Sequence, residues 1–203
     1  MLTLYHSPHS RSSRVLWLLE ELGGKAEIDV RTVTIPRVDG SGGRDSANPH
    51  PEGKVPLLVH DGVEIWETAA ILTYLTDLYP EAGLGVPVGH PDRGRFLSWM
   101  SWYGSVMEPV LILAAAGIEH PYFTASLRGV PEVNARLSNA LKDRPFLMGD
   151  TFTVADLICQ SPYAWFREAL PEFPDIQAWF ERCQARPANQ RAIARDAELM
   201  AAA

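Results

Sequence analysis

Two kinds of hydrophobic spacing alternate along the first 80 residues of this chain. Leu2 to Tyr5 forms a short strand-like run, followed by the turn-prone Ser7-Pro8-His9-Ser10. Val15, Leu18, Leu19 and Leu22 then recur at helical spacing up to Gly23-Gly24, a pair suited to ending a helix. Glu27 to Ile35 mixes β-branched and charged residues and reads as a second strand. Leu57 to Val59 and Val63 to Trp66 flank Asp61-Gly62, a dipeptide that accepts the positive φ angles of a hairpin turn. Ile71, Tyr74, Leu75 and Leu78 return to helical spacing. The order strand, helix, strand, hairpin, helix predicts an α/β domain with a mixed four-stranded sheet, in outline thioredoxin-like.

Proline and glycine interrupt both periods from Pro80 to Pro91, which marks a linker. Beyond it no strand pattern recurs. Helices are expected at about 92–118, 122–143, 153–168, 174–186 and 187–200. The plan is therefore an N-terminal domain over 1–80, a linker over 81–91 and an all-α domain over 92–203. Thr153-Val154-Ala155-Asp156 fits a capping box, with Asp as a shorter variant of the usual last residue, and is read as a folding feature.

Local chemistry concentrates between Asn48 and Leu75. Pro56 stands directly before an apolar strand, where a residue without an N–H belongs at the strand's first position and where a cis bond would turn the main-chain groups of Val55 outward. Thr68 is a natural N-cap for the helix that follows, and the free amides behind it form an anion site suited to a substrate carboxylate. The loop from Arg37 to Gly53, rich in Gly, Ser, Asp and Pro, borders this region.

Composition narrows the field. A net charge of −7 disfavours a nucleic-acid role, which needs a basic stripe. Cys159 and Cys183 supply neither a disulfide framework nor a metal or Cys-x-x-Cys spacing. No apolar run reaches membrane-spanning length and the opening residues do not form a signal peptide, so no membrane association and a cytoplasmic location are expected.

The chain resembles the cytosolic glutathione transferase family, in particular its serine-type and fungal or bacterial members. The resemblance rests on Tyr5-His6-Ser7-Pro8, the run from Ser10 to Gly23, Gly53-Lys54-Val55-Pro56-Leu57-Leu58, Glu67-Thr68-Ala69-Ala70-Ile71 and Phe152-Thr153-Val154-Ala155-Asp156. It implies that glutathione is the co-substrate, with no other cofactor and no metal. Val55 would pair its backbone with the cysteinyl part, beside Pro56. Glu67 would accept the γ-glutamyl ammonium, and Thr68 with the helix start would hold the γ-glutamyl carboxylate, the family usually having serine there. Lys54 or His50 would meet the glycyl carboxylate.

The same resemblance leaves the thiol-activating residue open. Matching Arg14 to the arginine that follows the serine of serine-type members puts Ser10 in that position. Counting back from Gly23, as for cysteine-type members, puts Arg11 there with Ser10 or Ser12 beside it. Arg11 could donate to the sulfur or to a carboxylate. Tyr5 is the alternative used by tyrosine-type members, although a strand aromatic is more often packed in a core. Trp99, Trp102, Tyr103, Met107 and Glu108 fall where the family places its acceptor site, and Trp102, Tyr103 and Met107 are the residues expected to meet a hydrophobic electrophile.

The expected function is conjugation of glutathione to electrophilic small molecules by a homodimer. Glutathione-dependent peroxide or disulfide reduction, and a non-catalytic protein that binds partners through the same fold, are the alternatives.

Overall fold

A computed structural model describes residues 1–201 of the chain, which divides into two compact units: Met1–Ala82 together with the chain from Arg186, and Gly83–Ala185. In the first unit, strands β1 (Leu2–His6), β2 (Ile28–Thr32), β3 (Leu57–His60) and β4 (Val63–Trp66) form one mixed sheet in the order β2-β1-β3-β4. β1 pairs parallel with β2 and antiparallel with β3, so both of its edges are satisfied and nearly all its side chains are buried. Asp61 and Gly62 take φ of 48° and 84° in the β3–β4 turn, as the Asp-Gly pair predicts.

Helix α1 (Ser13–Leu22) buries Val15, Leu16, Leu18, Leu19 and Leu22, and stops at Gly23, whose φ of 61° lets its amide bond back to Glu20. Helix α2 (Thr68–Leu78) packs on α1 and β4.

The end of the chain departs from the expected domain plan. Helix α9 (Pro187–Ala201) packs along α1 within the first unit. The reason is charge and shape: Arg186 grips Glu21 with two bonds of 2.6 and 2.7 Å, Arg191 and Arg195 meet Glu20 at 3.1 and 3.2 Å, and small Ala188 and Ala192 bury between.

The second unit is helical among the described residues: α3 (Arg93–Trp102), a π-helical turn at Tyr103–Met107, α4 (Glu108–Ala115), α5 (Pro121–Leu127), α6 (Val130–Leu141), α7 (Val154–Trp165) and α8 (Pro174–Gln184). The single helix expected over 122–143 is split at Arg128 and Gly129, because in a continuous helix Pro131 would have no N–H for the Leu127 carbonyl and its ring would clash with it; as the second residue of α6 it needs no such bond. Residues Val154 to Tyr163 of α7 are all buried, which makes this helix the axis of the unit. No helix among the described residues is long and apolar enough to cross a membrane.

The capping box sets where α7 begins. Thr153 Oγ1 accepts from the Ala155 amide, and Asp156 Oδ2 accepts from the Thr153 amide at 2.9 Å. Asp156 Oδ1 takes two further donors, the Leu147 amide at 2.8 Å and Trp179 Nε1 at 2.9 Å. Burial pushes this carboxyl above its usual range, against the pull of those donors. Asp156→Asn turns an NH2 group toward the Thr153 amide or toward the Leu147 amide and Trp179 indole, N–H groups that can only donate. It is expected to lower unfolding free energy by about 3 kcal/mol, read as a lower midpoint in urea with an unchanged slope.

Candidate functional site

Strand register gathers one set of loops at one end of the sheet. Tyr5 pairs with Leu57, and Leu57 with Trp66, while His6 lies beside Thr32 on the other side. The segments that leave the sheet just past these pairs are Ser7–Ser12, the residues after Thr32, Val55-Pro56 and Glu67-Thr68. They are therefore brought together although up to sixty residues separate them in sequence.

The β1–α1 loop is a compact knot of hydroxyls. Ser7 N–H donates to Ser12 Oγ at 3.1 Å, and Ser12 N–H to Ser10 Oγ at 3.1 Å. Ser10 Oγ lies 2.7 Å from both the Ser7 carbonyl and Ser12 Oγ. Ser12 is fully buried and Ser10 is 8% exposed, so of the two candidate serines only Ser10 offers any surface to a ligand. Arg11 is exposed on the same turn. Tyr5 is half-buried on β1, with the Arg31 guanidinium 6.0 Å from its ring centre.

Arg37 was not legible as a site residue. From the loop after β2 its guanidinium donates to the Pro8 carbonyl at 2.6 Å, the His9 carbonyl at 3.0 Å and Ser7 Oγ at 3.0 Å. Parallel pairing of β2 with β1 is what brings it there. The tip it clamps carries His9, exposed, at a φ of 53°, a conformation that costs a non-glycine residue free energy.

The Val55–Pro56 bond is cis, immediately before β3, and Val55 and Pro56 are buried. Upstream, Asn48 Nδ2 donates to the Lys54 carbonyl at 3.1 Å and ties this segment down. His50 is buried, its Nδ1 accepting the Glu52 amide at 3.1 Å. Lys54 is exposed and ion-paired with Glu52. Its pKa is raised, first by the hydrogen bond to Glu52 and next by that residue's charge, with Glu67 adding a smaller push upward and Arg11 a push downward. Lys54, Glu67 and Arg11 thus share one neighbourhood.

Thr68 is the first helical residue of α2, and the cap position expected for it belongs to Glu67. Glu67 takes φ 71° and ψ 123°, which swings the chain from β4 into the helix, and its side chain is exposed. Thr68 itself is buried.

In the helical unit, Trp102 is half-buried, with the Arg136 guanidinium 5.4 Å from its ring centre and Trp99 edge-on at 5.3 Å. Tyr103 and Met107 are buried in the π-helical turn, and Tyr103 Oη donates to Glu108 at 2.7 Å. Among the described residues no cluster of three or more His, Cys, Asp or Glu side chains could hold a metal.

Known proteins are similar to this chain over nearly its whole length. Residues 1–77 match the model for the glutathione S-transferase N-terminal domain, and residues 104–187 that for the C-terminal domain. The Disulfide-bond oxidoreductase YfcG of Escherichia coli is 28% identical, covering 95% of this chain and 94% of the relative. Glutathione S-transferase 3 of Schizosaccharomyces pombe is also 28% identical, over 93% of this chain and 85% of its own. The solved structure of a sphingomonad glutathione S-transferase complexed with glutathione superposes with a TM-score of 0.76 at 28% identity, covering 96% of this chain and 98% of that one.

Arg37→Ala removes three bonds from a charged donor to the β1–α1 loop. The amides of His9 and Ser13 are expected to exchange with solvent about tenfold faster, equivalent to about 1.4 kcal/mol of local stability, while the melting temperature moves little. Hydrogen-exchange mass spectrometry reads the difference directly.

Proposed function

The chain belongs to the glutathione S-transferase family, and from that membership we propose how its first unit holds glutathione and prepares the thiol. The protein is a glutathione transferase: it binds glutathione and joins its sulfur to electrophilic small molecules. The observation that carries the residue assignments is the register that puts the serine loop, the cis-proline segment and the start of α2 at one end of the sheet.

In this reading Val55 offers its main chain to the cysteinyl residue as one more antiparallel partner. The Glu67 carboxylate takes the γ-glutamyl ammonium, and the amides at the start of α2, with Thr68, take the γ-glutamyl carboxylate. Lys54 and Arg11 supply positive charge for the glycyl carboxylate, and buried His50 braces the Lys54 segment. Ser10 activates the thiol. A free thiol with a pKa near 8.5 is mostly protonated at neutral pH, and lowering it by about two units requires about 2.7 kcal/mol. A hydrogen bond to a charged sulfur contributes about 1.5–3 kcal/mol, so one hydroxyl is of the right strength. The thiolate then forms a C–S bond with the electrophile as the leaving group departs. That displacement transfers no electrons, so glutathione serves as co-substrate without a redox cofactor.

For the acceptor, Trp102 presents aromatic surface to a flat apolar compound while Tyr103 and Met107 back it from within their helix. The working form is a homodimer in the cytoplasm. The name of the E. coli relative favours one second reading, glutathione-dependent disulfide reduction, in which two glutathione thiols reduce one disulfide and leave oxidised glutathione. Cys159 and Cys183 are buried in the helical unit, so that chemistry would run through glutathione sulfur alone.

Calorimetric titration with glutathione, with thiolate absorbance followed in the same samples, tests the assignment. Glu67→Ala is expected to weaken glutathione binding by about ten- to a hundredfold, the worth of one hydrogen bond to a charged group. Undiminished affinity would remove Glu67 from the site. Ser10→Ala is expected to leave affinity nearly unchanged while thiolate absorbance at neutral pH and kcat fall together by about tenfold or more. An unaltered absorbance would take the activating role away from Ser10.

A further inference from the structure

Two buried ionisable groups stand behind the serines with no part in the assignments above. His6, the last residue of β1, is fully buried, and its Nδ1 lies 2.8 Å from Ser12 Oγ. Its Nε2 lies 2.9 Å from Oδ1 of Asp196 on α9, at ion-pair distance but off the line of a good hydrogen bond. Since Ser12 Oγ is 2.7 Å from Ser10 Oγ, an unbroken file of polar atoms runs from the Asp196 carboxylate through His6 and Ser12 to Ser10. The other carboxylate oxygen, Oδ2, accepts from the His9 amide at 2.8 Å and from Ser13 Oγ at 3.0 Å. Burial pushes the Asp196 carboxyl up, but its contact with His6, the His9 amide, the charge of His6 and the Ser13 hydroxyl together bring it below its ordinary value. Its Oδ2 thus holds two donors, and Oδ1 offers an acceptor toward which a hydrogen on His6 Nε2 can turn.

Counting hydrogens along the file gives two complete arrangements. With a neutral imidazole, Nδ1 accepts from Ser12, Ser12 accepts from Ser10 and from the Ser7 amide, the Ser10 hydrogen is shared between Ser12 Oγ and the Ser7 carbonyl, both at 2.7 Å, and Ser10 turns a lone pair outward. With an imidazolium, Nδ1–H donates to Ser12, the Ser12 hydrogen is shared between Ser10 Oγ and the Ser7 carbonyl at 3.1 Å, and the Ser10 hydrogen is turned outward. Each oxygen has one donor hydrogen and two acceptor positions filled in both states once a sulfur sits beside Ser10. The two states differ by one proton on His6 and by the direction of every hydroxyl between.

We propose that Asp196, His6, Ser12 and Ser10 form a proton relay that receives the thiol proton of glutathione; this rests on the reading that Ser10 faces that thiol. The S–H proton moves to Ser10 Oγ as the Ser10 proton passes to Ser12 Oγ and the Ser12 proton to His6 Nδ1. One S–H bond breaks, one N–H bond forms, and no electrons are transferred. The product is a thiolate hydrogen-bonded by Ser10 and an imidazolium held by Asp196, so the protein gains the positive charge that the sulfur gives up. The reverse shift returns the proton to the departing group or to water after the C–S bond has formed. Ser10 is the catalytic residue, and Ser12, His6 and Asp196 are positioning residues that act through it.

The test compares the unaltered protein with Asp196→Asn, Asp196→Glu, Ser12→Ala and the Asp196→Asn/Ser12→Ala double variant. Glutathione affinity, thiolate absorbance of the bound peptide at neutral pH, kcat, KM and melting temperature are measured for each. The relay predicts that Asp196→Asn and Ser12→Ala keep glutathione affinity within about twofold, while thiolate absorbance and kcat fall about tenfold, equivalent to one pKa unit. Asp196→Glu recovers part of both, and the double variant is no worse than either single one, because each change breaks the same file. Unchanged thiolate absorbance in Asp196→Asn and Ser12→Ala, with affinity intact, overturns the relay and leaves Ser10 acting alone. Additive losses in the double variant that track the melting temperature also overturn it, since they mark separate structural roles. An unaltered protein that binds no glutathione removes the reading on which the relay rests.

Discussion

The double pairing of β1 is the constraint on which the rest of the first unit depends. A strand hydrogen-bonded on both edges cannot slip by one residue without turning its buried face to solvent. Leu2 and Leu4 fix that face. With the register held, His6 must end the strand facing inward, Ser7 must begin the turn, and Leu57 and Trp66 must lie at the same level of the sheet. The candidate site needs no long-range designer beyond this: three loops leave one end of a rigid sheet. Parallel pairing of β2 adds the fourth, and with it the Arg37 clamp.

A second constraint acts through charge. Burying Asp196 without partners would be very costly, and the same holds for His6 in its charged form. Asp196 gains two donors at Oδ2, the His9 amide and Ser13, and lies at ion-pair distance from His6 through Oδ1, so the docking of α9 and the shape of the serine loop are one problem. The arginine contacts to Glu20 and Glu21 lie along the same helix pair, but several are solvent-exposed and contribute modestly. They orient α9, while the buried carboxylate fixes its register against the loop. Residue 196 therefore reports on a site more than 180 positions earlier in sequence.

What could be read from the sequence divides along the same lines. Local patterns carried the sheet, the Asp-Gly hairpin, α1 with its glycine stop and the capping box of α7, because each depends on residues within one or two turns of one another. The cis bond before Pro56 and the helix start near Glu67 were legible for the same reason, although Thr68 entered the helix and left the cap to Glu67. Arg37 and Asp196 were not legible, since only tertiary pairing brings them to Ser7 and His6. His6 itself stood in the motif that carried the family resemblance, yet nothing local distinguishes a strand histidine buried for packing from one buried against a carboxylate. The placement of α9 was missed because its amphipathic pattern specifies a buried face without specifying what covers it.

Strain and satisfaction meet at the ligand end of the sheet. His9 at φ 53° and Glu67 at φ 71° each hold a conformation that costs of order 1–3 kcal/mol for a side chain with a Cβ. Such residues persist only where neighbours over-determine them. His9 is fixed by the bond from its amide to Asp196 and by Arg37 on its carbonyl, and Glu67 by β4 on one side and α2 on the other. The free energy that holds these two turns is supplied by neighbouring elements: Asp196 and Arg37 for one, β4 and α2 for the other. The exposed Arg11 and Glu67 beside these turns are thereby held in place by the protein itself, and a group ordered in advance costs a bound molecule little to order. A rigid sheet end with two strained, over-determined turns is thus the physical basis on which the proposed glutathione site rests.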